Sequence, residues 1–226
     1  MNNHIEIYKN ALPIDLCDYL INFFEEQFEY GNTIPGLSGN SKVNPEIKDT
    51  HDIIINYPCY MGNEEHSHKV ELLKDISDDI ILKYHNKYFK YGSKNKMLED
   101  NNLTEYNKQF LNSTYEYPHP FLMHKYNPPN QGYHAWHEDW SGSNWNRHIV
   151  LTMYLNDVKD GGETEFLNQN LKIKPEKGLV IAFPPYYTHV HKGHIPISNS
   201  KYIVTTWFSF ASRGNGPHGV GFYIDK

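Results

Sequence analysis

Four β-prone runs in the second half of the chain restrict its fold more than any other feature. PFLMHKY (120–126), RHIVLTMYL (147–155), GLVIAF (178–183) and KYIVTTWFSF (201–210) are rich in branched and aromatic residues, and NPPNQG, NDVKDGG and PPYYTH divide them with turn chemistry. Regularly spaced strands of this kind specify a β-sandwich or jelly roll. A parallel sheet would need helices between the strands.

The first half reads differently. Leu16, Leu20, Phe23, Phe24 and Phe28 form one helical stripe over Asp15–Phe28, with Asp15 as the expected N-cap and Asp18 as a first-turn acid. A second stripe runs through Leu73, Ile76, Ile80, Tyr84 and Tyr88, and Gly92 is placed to end it. HDIIINYP (51–58) reads as a short strand. Residues 30–48 and 92–113 are rich in Gly, Asn, Ser, Pro and charge and read as loops, the second of them mobile. No linker or repeat interrupts the chain, so 1–226 is expected to be one mainly β domain. Residues 1–113 supply helical support and loops, 114–212 a catalytic jelly roll buttressed by the helices, and 213–226 a C-terminal segment.

The formal charge of −6 comes without any block of Lys or Arg, which argues against a nucleic-acid partner. Cys17 and Cys59 have no disulfide or zinc-ribbon spacing. The N-terminus has no basic-then-apolar signal, and no run approaches the roughly 18 apolar residues of a membrane span. A cytoplasmic protein with no membrane association is the expectation.

The chemistry concentrates in YHAWHEDWSGSN (133–144). In an extended segment residues i and i+2 share a side, so His137 and Asp139 can converge on one ion while Glu138 points away. A third ligand is required, and THVHKGHIPISNSKYIVTTWF (188–208) offers His189, His191 and His194. Two histidines and one carboxylate leave coordination positions open and suit non-haem Fe(II). Strand parity points to the same region. His148, Val150, Thr152 and Tyr154 share one face of their strand and Ile149, Leu151, Met153 and Leu155 the other; Lys201, Ile203, Thr205 and Trp207 likewise share a face.

In order, the chain carries Tyr126 before a Gly-containing turn, His137-x-Asp139, Arg147 opening a strand that ends YLN, GGETEF at 161–166, then His191, Lys201 ten positions later and Trp207 six beyond. This ordered set, over roughly 121–210, resembles the Fe(II)- and 2-oxoglutarate-dependent dioxygenases of the prolyl 4-hydroxylase-like group. The resemblance implies a double-stranded β-helix core in which His137, Asp139 and His191 hold Fe(II). The ten-residue step to Lys201 selects His191 among the three histidines. Lys201 would pair with the distal carboxylate of 2-oxoglutarate, since a buried ammonium needs an anionic partner. Tyr154 would reach the same carboxylate, Tyr126 would lie near the metal end of the cosubstrate, and Thr205 and Trp207 would line the pocket.

The implied reaction consumes O₂ and 2-oxoglutarate, releases succinate and CO₂, and hydroxylates an unactivated C–H bond, with ascorbate as a candidate reductant. Related halogenases lack the carboxylate that Asp139 supplies, so hydroxylation is implied. The expected substrate is a proline-containing peptide or protein, clamped with help from 92–113. The alternatives are hydroxylation of another residue or a small molecule, and a non-catalytic jelly-roll binding module. Three departures from the family pattern stand out. The spacing ahead of H-x-D is one residue longer, with His134 and Trp136 among the matching positions, which leaves Tyr133 without an assigned role. His134 reads as a packed or exposed histidine. Asn199 replaces the usual glycine before Lys201. Gly161, Gly162, Thr164 and Phe166 read as structural, and Arg147 is open between substrate contact and salt bridge.

Overall fold

A computed structural model describes residues 3–38, 42–88, 120–140 and 144–210. The expected loop 92–113, Gly92 and the C-terminal segment 213–226 lie outside the described residues.

Two antiparallel sheets form a sandwich. The larger has seven strands in the order β1-β10-β7-β12-β5-β4-β2, and the smaller has five in the order β3-β6-β11-β8-β9. In chain order the strands are β1 (Glu6–Tyr8), β2 (Ile34–Pro35), β3 (Lys48–Asp49), β4 (His51–Ile54), β5 (Leu122–Tyr126), β6 (Gly132–His137), β7 (Arg147–Tyr154), β8 (Thr164–Phe166), β9 (Leu171–Ile173), β10 (Val180–Phe183), β11 (His191–Gly193) and β12 (Lys201–Ser209). The first half therefore contributes four strands as well as helical support. Only β4 was legible there, because strands of two or three residues carry too few alternations to register.

Helix α1 spans Ile14–Glu29 and α2 spans Glu64–Tyr88. Asp15 does not cap α1. The chain enters the helix directly from Pro13, with no side-chain cap, and Asp15 sits in the first turn, where Lys69 Nζ reaches it at 3.0 Å. Proline's fixed φ is compatible with that entry and shifts the start by a residue. No helix among the described residues is long and apolar enough to cross a membrane.

Side-chain alternation divides the interior into two cores. Leu16, Leu20 and Phe24 of α1 and Val70, Leu73 and Ile81 of α2 pack with Ile149, Leu151, Met153 and Val204 from one face of the large sheet. The opposite face gives Val150, Tyr154, Ile181 and Ile203, which pack with Phe166 and Ile173 of the small sheet. The parity read from β7 holds from Ile149 onward, and His148 departs from it. In the β7–β12 ladder Phe208 pairs with Ile149 and Ser209 with Arg147, a bulge that leaves His148 out of the count. His148 accordingly packs beside His85 of α2 and Phe210, with ring centroids 5.7 and 4.5 Å away, and Arg147 faces the sandwich interior.

The Gly161-Gly162 turn has φ of +75° and +76°. A Cβ on Gly161 would meet the Ile195 carbonyl oxygen at 2.4 Å. Gly161→Ala is thus expected to destabilise the fold by about 2–3 kcal/mol, from left-handed strain plus the clash. Urea denaturation would read it, and an unchanged midpoint would contradict the assigned turn geometry.

Candidate active site

Backbone register brings the two histidines together. In the antiparallel pairing of β6 with β11, His137 lies directly opposite His191, and their ring centroids are 4.3 Å apart. Asp139 follows just past the end of β6, where its N–H donates to Pro185 O at 2.9 Å. One ligand atom from each of His137, Asp139 and His191 lies within 4.8 Å of the others. His189 and His194 are engaged elsewhere, His189 with the Asn3 carbonyl and Thr188, and His194 with Glu165 at 2.6 Å.

The ring tautomers follow from the neighbours. Nδ1 of His137 lies 3.1 Å from Ala135 O, and Nδ1 of His191 lies 3.0 Å from His189 O. A carbonyl only accepts, so each Nδ1 carries the proton and each Nε2 presents a lone pair. Burial and the neighbouring His191 ring push the His137 pKa down to about 3, which keeps that ring neutral. Two imidazole nitrogens and a carboxylate oxygen on one side of a cavity are a donor set that fits Fe(II).

Arg147 holds the carboxylate end. Its Nη1 donates to Asp139 O at 3.1 Å and lies 3.7 Å from Oδ1, while the guanidinium stacks 4.0 Å from the Trp207 ring centroid. The indole N–H of Trp207 is buried without a hydrogen-bond partner among the described residues.

These groups open onto a cavity of about 290 Å³ between the sheets, which is lined also by Tyr126, Thr152, Thr164, Lys201 and Thr205. Lys201 is 2% exposed. Its Nζ donates to Gly162 O at 2.7 Å and sits 5.2 Å from the Tyr126 ring centroid. Among the described residues no carboxylate lies within ion-pair distance of it. Burial pushes its pKa down to about 7. Tyr154 sits behind the wall: its hydroxyl donates to Thr164 Oγ1 at 2.7 Å, and Thr164, read from sequence as structural, is what lines the cavity there.

Several wall residues had no assigned role in the sequence reading. Tyr133 stacks on His137 with ring centroids 3.5 Å apart and planes within 8°. Glu138 also lines the cavity, because the strand ends at His137 and strict alternation stops there. Beside Tyr133, its pairing partner in the small sheet, Lys48 of β3 reaches Asp52 of β4 at 2.6 Å, and Asp52 also accepts from Thr50 at 2.5 Å and lies 2.7 Å from His124 Nδ1 on β5. All four are buried. Burial alone would raise the Asp52 carboxyl, but its bond to His124 and the Lys48 ammonium hold it well below the usual carboxylate range. Because β3 belongs to the small sheet and β4 and β5 to the large one, this cluster ties the sheets together at the cavity wall.

A sequence profile of the 2OG-Fe(II) oxygenase superfamily matches residues 121–209. No curated protein sequence matches the chain significantly. Among solved structures the chain is similar to a Pseudomonas putida prolyl-4-hydroxylase, at 17% identity and TM-score 0.63, covering 91% of this chain and 92% of that one. It is also similar to a Trichoplax adhaerens prolyl hydroxylase in complex with a hypoxia inducible factor oxygen degradation domain peptide fragment, at 18% identity and TM-score 0.67, covering 92% and 84%. A viral collagen prolyl hydroxylase from Paramecium Bursaria Chlorella virus-1, in its 2OG complex, matches at 20% identity and TM-score 0.53, covering 92% and 97%. At such identities the structural likeness speaks for the fold, and the profile speaks for the segment that contains all three convergent side chains, His137, Asp139 and His191. Residues 121–209 match the 2OG-Fe(II) oxygenase superfamily profile, and the chain as a whole has the fold of the solved prolyl hydroxylases.

Proposed function

We propose that this protein hydroxylates proline at C4 in an extended peptide segment, with His137, Asp139 and His191 holding Fe(II) and Lys201 anchoring the distal carboxylate of 2-oxoglutarate. The observation that carries the reading is one cavity holding both the convergent triad and a buried ammonium without a carboxylate partner among the described residues. A diacid cosubstrate would give that ammonium the anion it lacks. When bound, Fe(II) and 2-oxoglutarate supply O₂ activation and oxygen transfer, releasing succinate and CO₂, with ascorbate as reductant.

The chain's own residues then have defined tasks. Backbone carbonyls of Ala135 and His189 fix the rings so that both Nε2 atoms face one point. Arg147 orients Asp139 and braces Trp207. Thr205 and Tyr126 complete the wall beside Lys201. The buried indole N–H of Trp207 is a donor for a peptide carbonyl or for the new hydroxyl. Trp136, Trp140 and Trp145 are 38%, 40% and 65% exposed on the segment that carries His137 and Asp139. Exposed aromatics of this kind suit a proline-rich, polyproline-II segment, which docks with little loss of entropy. The peptide held by the Trichoplax enzyme supports the same substrate class by analogy.

The test is anaerobic titration of the apo-protein with Fe(II) and 2-oxoglutarate, followed by air and a peptide panel read by mass spectrometry. A visible charge-transfer band with proline-dependent succinate release and gain of one oxygen is expected. A band without any proline-dependent gain would leave the oxygenase and remove proline as its substrate.

A further inference from the structure

A second cavity, of about 240 Å³, lies on the other side of strand β12. Alternation along that strand sends Thr205 and Trp207 into the catalytic cavity and Thr206 and Phe208 into this one. Met61, Val70 and Phe121 supply most of the remaining apolar wall, and α2 brings Glu71, Lys74 and Asp78 to the lining. Lys74 and Asp78 pair with each other at 2.8 Å, and Glu71 is exposed.

The interior carries one anomaly. Thr206 is 1% exposed and its Oγ1 has no hydrogen-bond partner among the described residues. A hydroxyl buried without a partner is costly and uncommon. By contrast Ser77, also in the lining, donates to Leu73 O at 2.7 Å. The Thr206 hydroxyl is therefore left over from the bonding of the described residues, on the wall of a space whose floor is formed by Met61, Val70, Phe121 and Phe208.

We propose that this cavity is a second ligand site, for a small neutral molecule with an apolar body and a single hydrogen-bonding oxygen, such as a phenol or a short alcohol. Its size supports that class, because apolar cavities of about 150 Å³ already accept benzene. Its charged side chains are not buried, Glu71 being exposed and Lys74 and Asp78 half-buried and paired with each other, which favours a neutral occupant. An occupant would pack against the strand whose other face carries Lys201 and Trp207.

Phenol and toluene serve as probes, titrated into the full chain with binding read by methyl NMR at Met61 and Val70. Phenol is expected to shift both resonances and to bind Thr206→Val about three- to tenfold more weakly, which corresponds to one net hydrogen bond. Toluene should bind the wild type and Thr206→Val equally. The substitution keeps shape while removing the orphan hydroxyl, so the variant is expected to melt no lower than the wild type. Equal phenol affinity in both proteins, shifts confined to other residues, or no binding of either probe up to its solubility limit would each overturn the site.

Discussion

Asp139→Ala is expected to abolish turnover and to weaken Fe(II) binding by more than the roughly 10–100-fold typical of losing an outer partner of a metal ligand. The fold should survive. The Asp139 carboxylate contacts Arg147 at 3.7 Å and His191 at 3.6 Å, and Arg147 keeps its bond to the Asp139 backbone oxygen after the substitution. Stability should therefore stay within about 1 kcal/mol of the wild type. His137→Ala should behave similarly toward iron, with the added loss of the ring stacked on Tyr133. Metal content after dialysis against a weak chelator, measured beside the melting temperature, separates loss of the site from loss of the protein. Full turnover in both variants would remove these residues from the metal.

The second large effect is a pH dependence that belongs to Lys201. Its folded pKa, about 7 through burial, lies below its unfolded value of 10.5. Between those values the unfolded chain holds a proton that the folded chain has released, so stability rises with pH, by up to about 1.4 kcal/mol per unit. Below the folded value both states are charged and the full cost of the buried ammonium remains. The window from about pH 7.5 to 8 comes nearest to isolating this group: the histidines with depressed pKa values are neutral in both states there, and Cys17, whose folded pKa is raised to about 11, opposes the slope only as the unfolded thiol ionises towards pH 9. Urea denaturation at several pH values should give a rising midpoint for the wild type and a flat one for Lys201→Met. That variant should be the more stable protein at pH 7 without cosubstrate, yet bind 2-oxoglutarate poorly. Saturating 2-oxoglutarate should flatten the wild-type curve by supplying the missing anion. A wild-type midpoint already flat in this window would mean that Lys201 keeps its proton without help.

The parts of this fold that were readable from sequence are those in which local alternation survives. Ile149 to Leu155 and Lys201 to Trp207 keep strict two-residue periodicity, so the division between helix-facing and cavity-facing side chains could be read directly. His137 and Asp139 do converge, although strict alternation ends at His137, and His191 was singled out among three histidines only by the family resemblance, in which a basic residue follows ten positions later. His148 was misplaced because a bulge removes one residue from the count, and no composition signal marks a bulge. Glu138 was misassigned because the strand stops one residue before it. The Lys48–Asp52–His124 cluster could not be read at all. It joins residues from strands of two, four and five residues that pair across a long separation in sequence. Tyr154 was placed in the correct layer but one atom shell too far forward, since its hydroxyl is taken by Thr164.

Strand β1 is only three residues long, yet it occupies the end of the large sheet and covers β10, whose sequence VIAF is wholly buried. Its neighbours hold it in place: His189 bonds the Asn3 carbonyl, Tyr84 donates to His4 O, and Lys87 pairs with Glu6. If proteolysis removed the segment up to Tyr8, β10 would present an unpaired, uncharged apolar edge of the kind that recruits strands from other molecules. Trimming at this end would then appear first as self-association and loss of soluble protein, while His137 on β6 and His191 on β11 were still in place.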